Sequence, residues 1–174
     1  MSTLTIRPAA PHDVPAVTRI YAHSVLHGTA TFELEPPDQT EMTRRYRALH
    51  DGGFPYLVAQ AGEEIVGYAY AGPYRARPAY RWSVEDSVYI APQAHRRGVG
   101  RALLERLIDQ AEKRAFRQMI AVIGDSQQVA SIELHRAVGF ALIGTLVSVG
   151  FKHGRWLDTV LMQRALGRGD GTPP

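Results

Sequence analysis

Residues 84–104 constrain the fold most strongly. They read Val-Glu-Asp-Ser-Val-Tyr-Ile, then Ala-Pro-Gln-Ala-His-Arg-Arg, then Gly-Val-Gly-Arg-Ala-Leu-Leu. Val84 to Ile90 is a β-type run, and Pro92 breaks the loop Ala91 to Arg97. Gly98, Val99 and Gly100 open a helix. Its Leu104, Leu107, Ile108, Ala111 and Ala115 follow the three-and-four spacing of one buried face. A helix start fed by a glycine-rich turn suits an anion. Its first N–H groups have no internal partner, and its dipole favours negative charge. Glycines allow close approach to the backbone. Arg96, Arg97 and Arg101 add charge that a pyrophosphate can use. From Gly-x-Gly alone, a solvated basic turn before an amphipathic helix reads the same way.

A P-loop needs Lys and Ser or Thr after its second glycine, but Arg101 and Ala102 stand there. A dinucleotide fingerprint needs a third glycine where position 103 is Leu. What remains resembles the acetyl-CoA pyrophosphate loop of the GNAT superfamily of N-acetyltransferases, Gln/Arg-x-x-Gly-x-Gly/Ala directly after a long strand. Gly98 and Gly100 match it. The leading position is His95, which departs from the pattern, although backbone amides do most of the cradling.

The length, 174 residues, suits one domain with a sizeable core. The expected division is a domain over 1–166 and a flexible Gly/Pro-rich tail over 167–174. With no cysteine there is no disulfide, thiolate nucleophile or thiolate metal site. The seven histidines are scattered without His-x-x-x-His spacing, so no metal is expected. No signal segment or spanning apolar run is seen, which makes a cytoplasmic protein without membrane contact the default. The net charge of +3 comes from scattered basic residues, not from a block interleaved with aromatics. A small anionic ligand therefore fits better than nucleic acid.

The patterning predicts strands at Leu4–Arg7, Tyr56–Gln60, Ile65–Ala71, Val84–Ile90, Gln118–Ile123, Ala141–Val149 and Trp156–Met162. Helices are predicted behind Pro11-His12-Asp13 to Gly28, at Thr40–His50, after Gly98, and at Gln127–Val138, the last with Ala130, Leu134, Ala137 and Val138 inward. Thr29 to Pro37 and Gly72 to Arg81 are irregular. The order β-α-α-β-β-β-α-β-α-β-β is that of the GNAT fold, an α/β (α+β) arrangement with one mixed, mostly antiparallel sheet of about seven strands and about four helices.

Three further runs resemble one branch, the phosphinothricin and methionine sulfoximine N-acetyltransferases. They are Thr31-Phe32-Glu33-Leu34-Glu35-Pro36-Pro37, Trp82 to Tyr89, and Gly150-Phe151-Lys152-His153-Gly154-Arg155-Trp156-Leu157-Asp158. The likeness spans residues 3 to about 164. It implies acetyl-CoA as cosubstrate and a homodimer. The substrate it implies is the α-amino group of a glutamate-like amino acid bearing a phosphinyl, sulfoximine or sulfone group. Without cysteine, direct attack in a ternary complex is the simpler route.

The same resemblance assigns roles. Glu85 matches the family's base, acting through water. Strand alternation keeps Glu85 and Asp86 from facing one site. Val88, Tyr89 and Ile90 would offer backbone groups to the pantetheine arm. His95, Arg96, Arg97, Gly98, Val99, Gly100 and Arg101 would hold the pyrophosphate, with Gln128 and Ser131 as further cofactor contacts. His135 stands where many GNAT enzymes carry a Tyr that protonates the leaving thiolate, and a structural histidine is the alternative. Phe32, Glu33, Arg75, Arg77, Arg81, Lys152 and His153 are candidates for substrate contact, the arginines as forks for a carboxylate or phosphinyl group. Acetylation of a protein N-terminus or polyamine, or acetyl-CoA binding without catalysis, are the competing readings.

Overall fold

The computed structural model describes residues 3–174. Seven strands form one sheet in the order β1-β2-β3-β4-β5-β7-β6. They are β1 (Leu4–Pro8), β2 (Tyr56–Ala61), β3 (Glu64–Pro73), β4 (Ser83–Ile90), β5 (Gln118–Gly124), β6 (Ala141–Lys152) and β7 (Arg155–Ala165). Only β4 and β5 run parallel; the other pairs are antiparallel. The helices are α1 (Val14–His27), α2 (Gln39–Asp51), α3 (Val99–Lys113) and α4 (Val129–Ala137). The predicted order of elements is observed, with β3, β6 and β7 extending beyond their predicted ends. Among the described residues no helix is long and apolar enough to cross a membrane.

Strand alternation divides the core in two. Leu57, Ala59, Ala69, Ala71 and Val84 turn toward α3, meeting Leu103, Leu104 and Leu107. Tyr56, Val58 and Tyr68 turn the other way, toward Val17, Tyr21 and Val25 of α1 and Met42 and Tyr46 of α2. Local chemistry fixes the ends. The Glu41 N–H donates to Asp38 Oδ1 at 2.8 Å ahead of α2, satisfying a helix-start donor. Asp13, buried before α1, accepts from the Ala10 N–H and from Arg7.

Two inward faces differ from expectation. On α3, Leu103 is buried, whereas Ala115 lies past the helix end, exposed and at φ 62. On α4, Ala130 and Ala137 are exposed, and His135 is the buried residue. A helix of nine residues offers too few apolar positions to fix its own rotation, and alanines constrain it weakly. Residues 167–174, expected as a flexible tail, form turns without helix or strand. Arg117 donates to the Gly169 and Pro173 carbonyls and to Thr172 Oγ1 there.

Candidate active site

The parallel pairing of β4 with β5 stops early. Ser83 to Asp86 pair with Gln118 to Ala121, yet β4 continues to Ile90 and β5 to Gly124. Beyond Asp86 and Ala121 the facing edges diverge and leave backbone groups without a ladder partner. A cavity of about 50 Å³ lies in this cleft, lined among others by Ser87, Val88, Tyr89, Ser131 and His135. An unpaired strand edge beside a cavity can take hydrogen bonds from an extended ligand arm. Val88 turns its N–H and C=O to this side, whereas Tyr89, expected to offer its backbone too, spends it on Tyr68 of β3 because ladder bonds alternate sides. Ile90 is turned the same way as Val88, but its carbonyl accepts from His95 Nε2 at 3.0 Å, and its side chain packs toward Gly100.

The glycines at the start of α3 have separate jobs. Gly98 caps the helix at φ 77, a left-handed conformation that favours glycine, and a Cβ there would face open space. A Cβ on Gly100 would meet Leu134 Cδ2 at 3.2 Å. Gly100 thus lets α3 approach α4 closely. Arg96 and Arg97 are exposed, and Val99 is buried in the core. Arg101 is occupied by Glu105 at 2.8 Å, one turn along the helix.

Glu85 stands at the opposite face of β4 from Asp86. Its pKa is raised, first by burial and then by the charge of Asp86, with Arg75 opposing both. A carboxyl shifted this way is a better proton acceptor than an exposed glutamate. Its face of β4 also carries Ser87 and Tyr89, and a polar layer continues from there. The Tyr21 hydroxyl donates to Glu33 Oε1 at 2.8 Å and contacts Thr31 Oγ1 at 2.9 Å. Burial pushes the Tyr21 hydroxyl up to about 12. Arg45 donates to both Glu33 oxygens. Burial alone would raise the Glu33 pKa, but Arg45 and Tyr21 together hold it below the ordinary value.

Three substrate candidates serve first to anchor the loop after α1. The buried Lys152 ammonium donates to the Thr31 carbonyl at 2.8 Å. His153, at φ 51, donates from Nε2 to the Gly28 carbonyl at 3.2 Å. Phe32 lies against Gly124 and Gly150, where a Cβ would overlap its ring. Lys152 and His153 tie the β6–β7 turn to this loop, and Glu33 is consumed by Arg45 and Tyr21.

Arg75, Arg77 and Arg81 share a cavity of about 280 Å³ with Phe54 and Tyr80, and Glu85 does not line it. The Arg81 guanidinium lies 5.2 Å from the centre of the Trp82 ring. Among the three, only Arg75 acts on Glu85. The three candidate arginines are thus gathered in one cavity, and Arg75 is the one that also bears on Glu85.

His135 is held at both ring nitrogens, by the Ser131 carbonyl at 2.7 Å and by Asp86 Oδ2 at 2.9 Å. Gln128 donates to Thr29 Oγ1 at 3.0 Å, which commits its amide to the loop. Thr29 in turn donates to Asp125, which also receives Arg155 at 2.5 Å. Sequence reading missed Asp86, Tyr21, Arg45, Asp125 and Arg155. Asp86 alone carried a signal, an acid on an otherwise apolar face of β4. Among the described residues no group of three or more His, Cys, Asp or Glu gathers as metal ligands would.

Comparison with known proteins gives the same picture over nearly the whole chain. The family profile described as "Acetyltransferase (GNAT) domain" matches residues 6–161. A phosphinothricin N-acetyltransferase of Alcaligenes faecalis is 56% identical over 170 residues, covering 98% of this chain and 86% of that protein. An L-methionine sulfoximine/L-methionine sulfone acetyltransferase of Salmonella typhimurium is 40% identical, over 94% of this chain and 95% of its own. The crystal structure of a GNAT superfamily phosphinothricin acetyltransferase from Sinorhizobium meliloti, in complex with acetyl-CoA, superposes with a TM-score of 0.96. Its sequence identity is 48%, over 99% of this chain and 93% of that one.

Proposed function

The chain belongs to the GNAT acetyltransferase family, and on that footing we propose that it transfers acetyl from acetyl-CoA to the α-amino group of a small amino acid. The substrate is of the phosphinothricin, methionine sulfoximine or methionine sulfone type, the compounds named in the relatives. Transfer is direct, within a ternary complex, since there is no cysteine to carry the acetyl group.

One observation carries this reading. Glu85, with its raised pKa, sits on the strand whose next residues line the open β4–β5 cleft. An α-ammonium is mostly charged at neutral pH and cannot attack until it loses a proton. Glu85 accepts that proton, directly or through water. The Val88 backbone, turned to the β5 side beyond the last paired residue, supports an extended pantetheine arm, and its N–H is suited to a carbonyl oxygen gaining charge. The start of α3, with the exposed Gly98 left-handed and the exposed Arg96 and Arg97 beside it, fits the pyrophosphate. Arg75, through its charge near Glu85, is the arginine best suited to the substrate's acidic group.

The proposal includes a homodimer, acting in the cytoplasm. Support for the dimer comes from β6, which ends the sheet. Leu142, Ile143, Val147, Val149 and Phe151 on it, and Trp156 beside them, are all exposed, with Val147 at 73%. A long apolar edge strand left in water is an aggregation hazard, and a second copy covers it.

The test is thiol release from acetyl-CoA across a panel of amines that includes phosphinothricin, methionine sulfoximine and methionine sulfone. Turnover of at least one of these three is expected. Bound acetyl-CoA without turnover of any amine would replace this reading with a non-catalytic binding protein.

A further inference from the structure

The cleft between β4 and β5 has an open end and a closed end. Ser83 to Asp86 pair with Gln118 to Ala121, and the strands part beyond that point. The start of α3 follows Ile90 at the open end. An arm reaching in from Gly98 therefore runs back along β4 toward Asp86. Whatever hangs from the far end of that arm meets Asp86 and Ala121.

The closed end is built from buried groups that hold one another. Asp86 and Ala121 are register partners on neighbouring strands, 6% and 1% exposed. Asp86 Oδ2 meets His135 Nε2 at 2.9 Å, and His135 Nδ1 donates to the Ser131 carbonyl at 2.7 Å. With both ring nitrogens committed, the ring cannot turn without breaking a buried contact. Phe140 stands edge-on to it, 5.0 Å between ring centres. Asp86, Ala121 and His135 all line the cavity of about 50 Å³ in the cleft. The other carboxylate oxygen, Asp86 Oδ1, is buried without a hydrogen-bond partner.

We propose that Asp86, held in place by His135 and standing beside Ala121, sets the length of the acyl group that is transferred: acetyl fits the closed end and longer acyl groups do not. This rests on the acetyl-CoA reading above and adds to it the residues that choose among acyl donors.

Length and polarity both reject a longer chain. Each strand residue advances about 3.3 Å, so Asp86 lies roughly 7 Å before Val88, whose N–H suits the thioester oxygen. A carbon–carbon bond of about 1.5 Å and a contact of about 3.5–4 Å with the wall take up most of that length. A propionyl group would add a carbon where the pinned side chains leave little room. That carbon would also lie against Asp86 Oδ1 and shut water out. The oxygen would then stay buried with no partner while an acyl-CoA is bound, which is costly. An apolar wall would attract an alkyl chain, whereas an unpaired carboxylate oxygen selects against one. Proton removal at Glu85 makes no use of this oxygen, since Glu85 faces the other side of β4.

The test compares two donors. With one amine that the wild-type enzyme acetylates, kcat/KM for acetyl-CoA should exceed that for propionyl-CoA by roughly 10–200-fold, the range for one methylene in a pocket. Asp86→Ala removes both the wall and the unpaired oxygen, so this preference should fall about tenfold, whatever becomes of the absolute rate. A ratio between donors does not depend on how much of a variant is folded, so a merely structural role leaves it in place. Ala121→Gly widens the same end without touching a charge and should move the ratio in the same direction; it decides if Asp86→Ala does not fold. An unchanged ratio in a folded variant overturns the proposal. Equal use of both donors by the wild type sinks this inference alone. No turnover with any acyl-CoA sinks the acetyltransferase reading and this one with it.

Discussion

The ring of Phe32 rests on the backbone of Gly150, across a space too small for a single added carbon. Gly124 of β5, separated from β6 by β7 in the sheet, meets the same ring, where a Cβ would stand 2.9 Å from Phe32 Cε1. Two glycines on β5 and β6 thus form the bed for the loop that carries Thr31 and Glu33. Gly150→Ala should lift Phe32 and shift that loop. Expected are a destabilisation of about 1–3 kcal/mol and a raised KM for the amine, with acetyl-CoA binding retained. Denaturant unfolding and steady-state kinetics check both.

Glu85→Gln keeps size and hydrogen bonding but cannot take a proton. Its rate should fall on the order of a hundredfold near neutral pH, with acetyl-CoA still bound. The deficit should shrink at higher pH, where solvent supplies neutral amine. Rate measurements across pH 6 to 10 decide it; an unchanged profile removes Glu85 from the mechanism.

Arg75 lowers the Glu85 pKa against burial and Asp86. Removing it in Arg75→Ala should let the Glu85 pKa rise further. The base must be ionised to act, so the acid limb of kcat/KM should move to higher pH. A limb that stays in place would detach Arg75 from Glu85.

Gly100→Val should act through packing. Its side chain would press on Leu134, forcing α3 and α4 apart, so stability and acetyl-CoA affinity should fall together. Adding Leu134→Ala should recover part of both, as calorimetry and thermal melts on the single and double variants would show. Loss of affinity with full stability would mean instead that the Gly100 side-chain position faces the ligand.

Asp125 links pH to stability. Burial disfavours its charge, but the Gln127 N–H, Arg155 and Thr29 outweigh this and hold its pKa below the ordinary value. A carboxylate depressed in the folded state stabilises above its unfolded pKa of about 3.9 and loses that contribution as pH falls through the folded value. Asp125→Asn should therefore cost about 1–3 kcal/mol at pH 7 and progressively less toward pH 2. Urea unfolding at several pH values tests the sign.

Much of this protein is written locally. The β4 run, the Gly98 turn and the leucine spacing of α3 each repeat with the period of the element they form, and they stand next to one another in the chain. Strand parity alone set Glu85 and Asp86 on opposite faces. The runs around Phe32, Glu85 and Lys152 were long enough to mark the family. What the sequence did not reveal lies between elements. His135 finds Asp86 49 residues away, and Lys152 finds the Thr31 carbonyl 121 residues away. Neither has a periodic signature, because a single buried polar residue follows no repeat and its partner is chosen only when sheet and helix pack. The rotation of α4, the divergence of β4 from β5, and the separation of Arg77 and Arg81 from Glu85 were likewise decided by tertiary structure. Each depends on which surfaces meet and on which buried polar groups must be satisfied there, and no stretch of chain sets that alone.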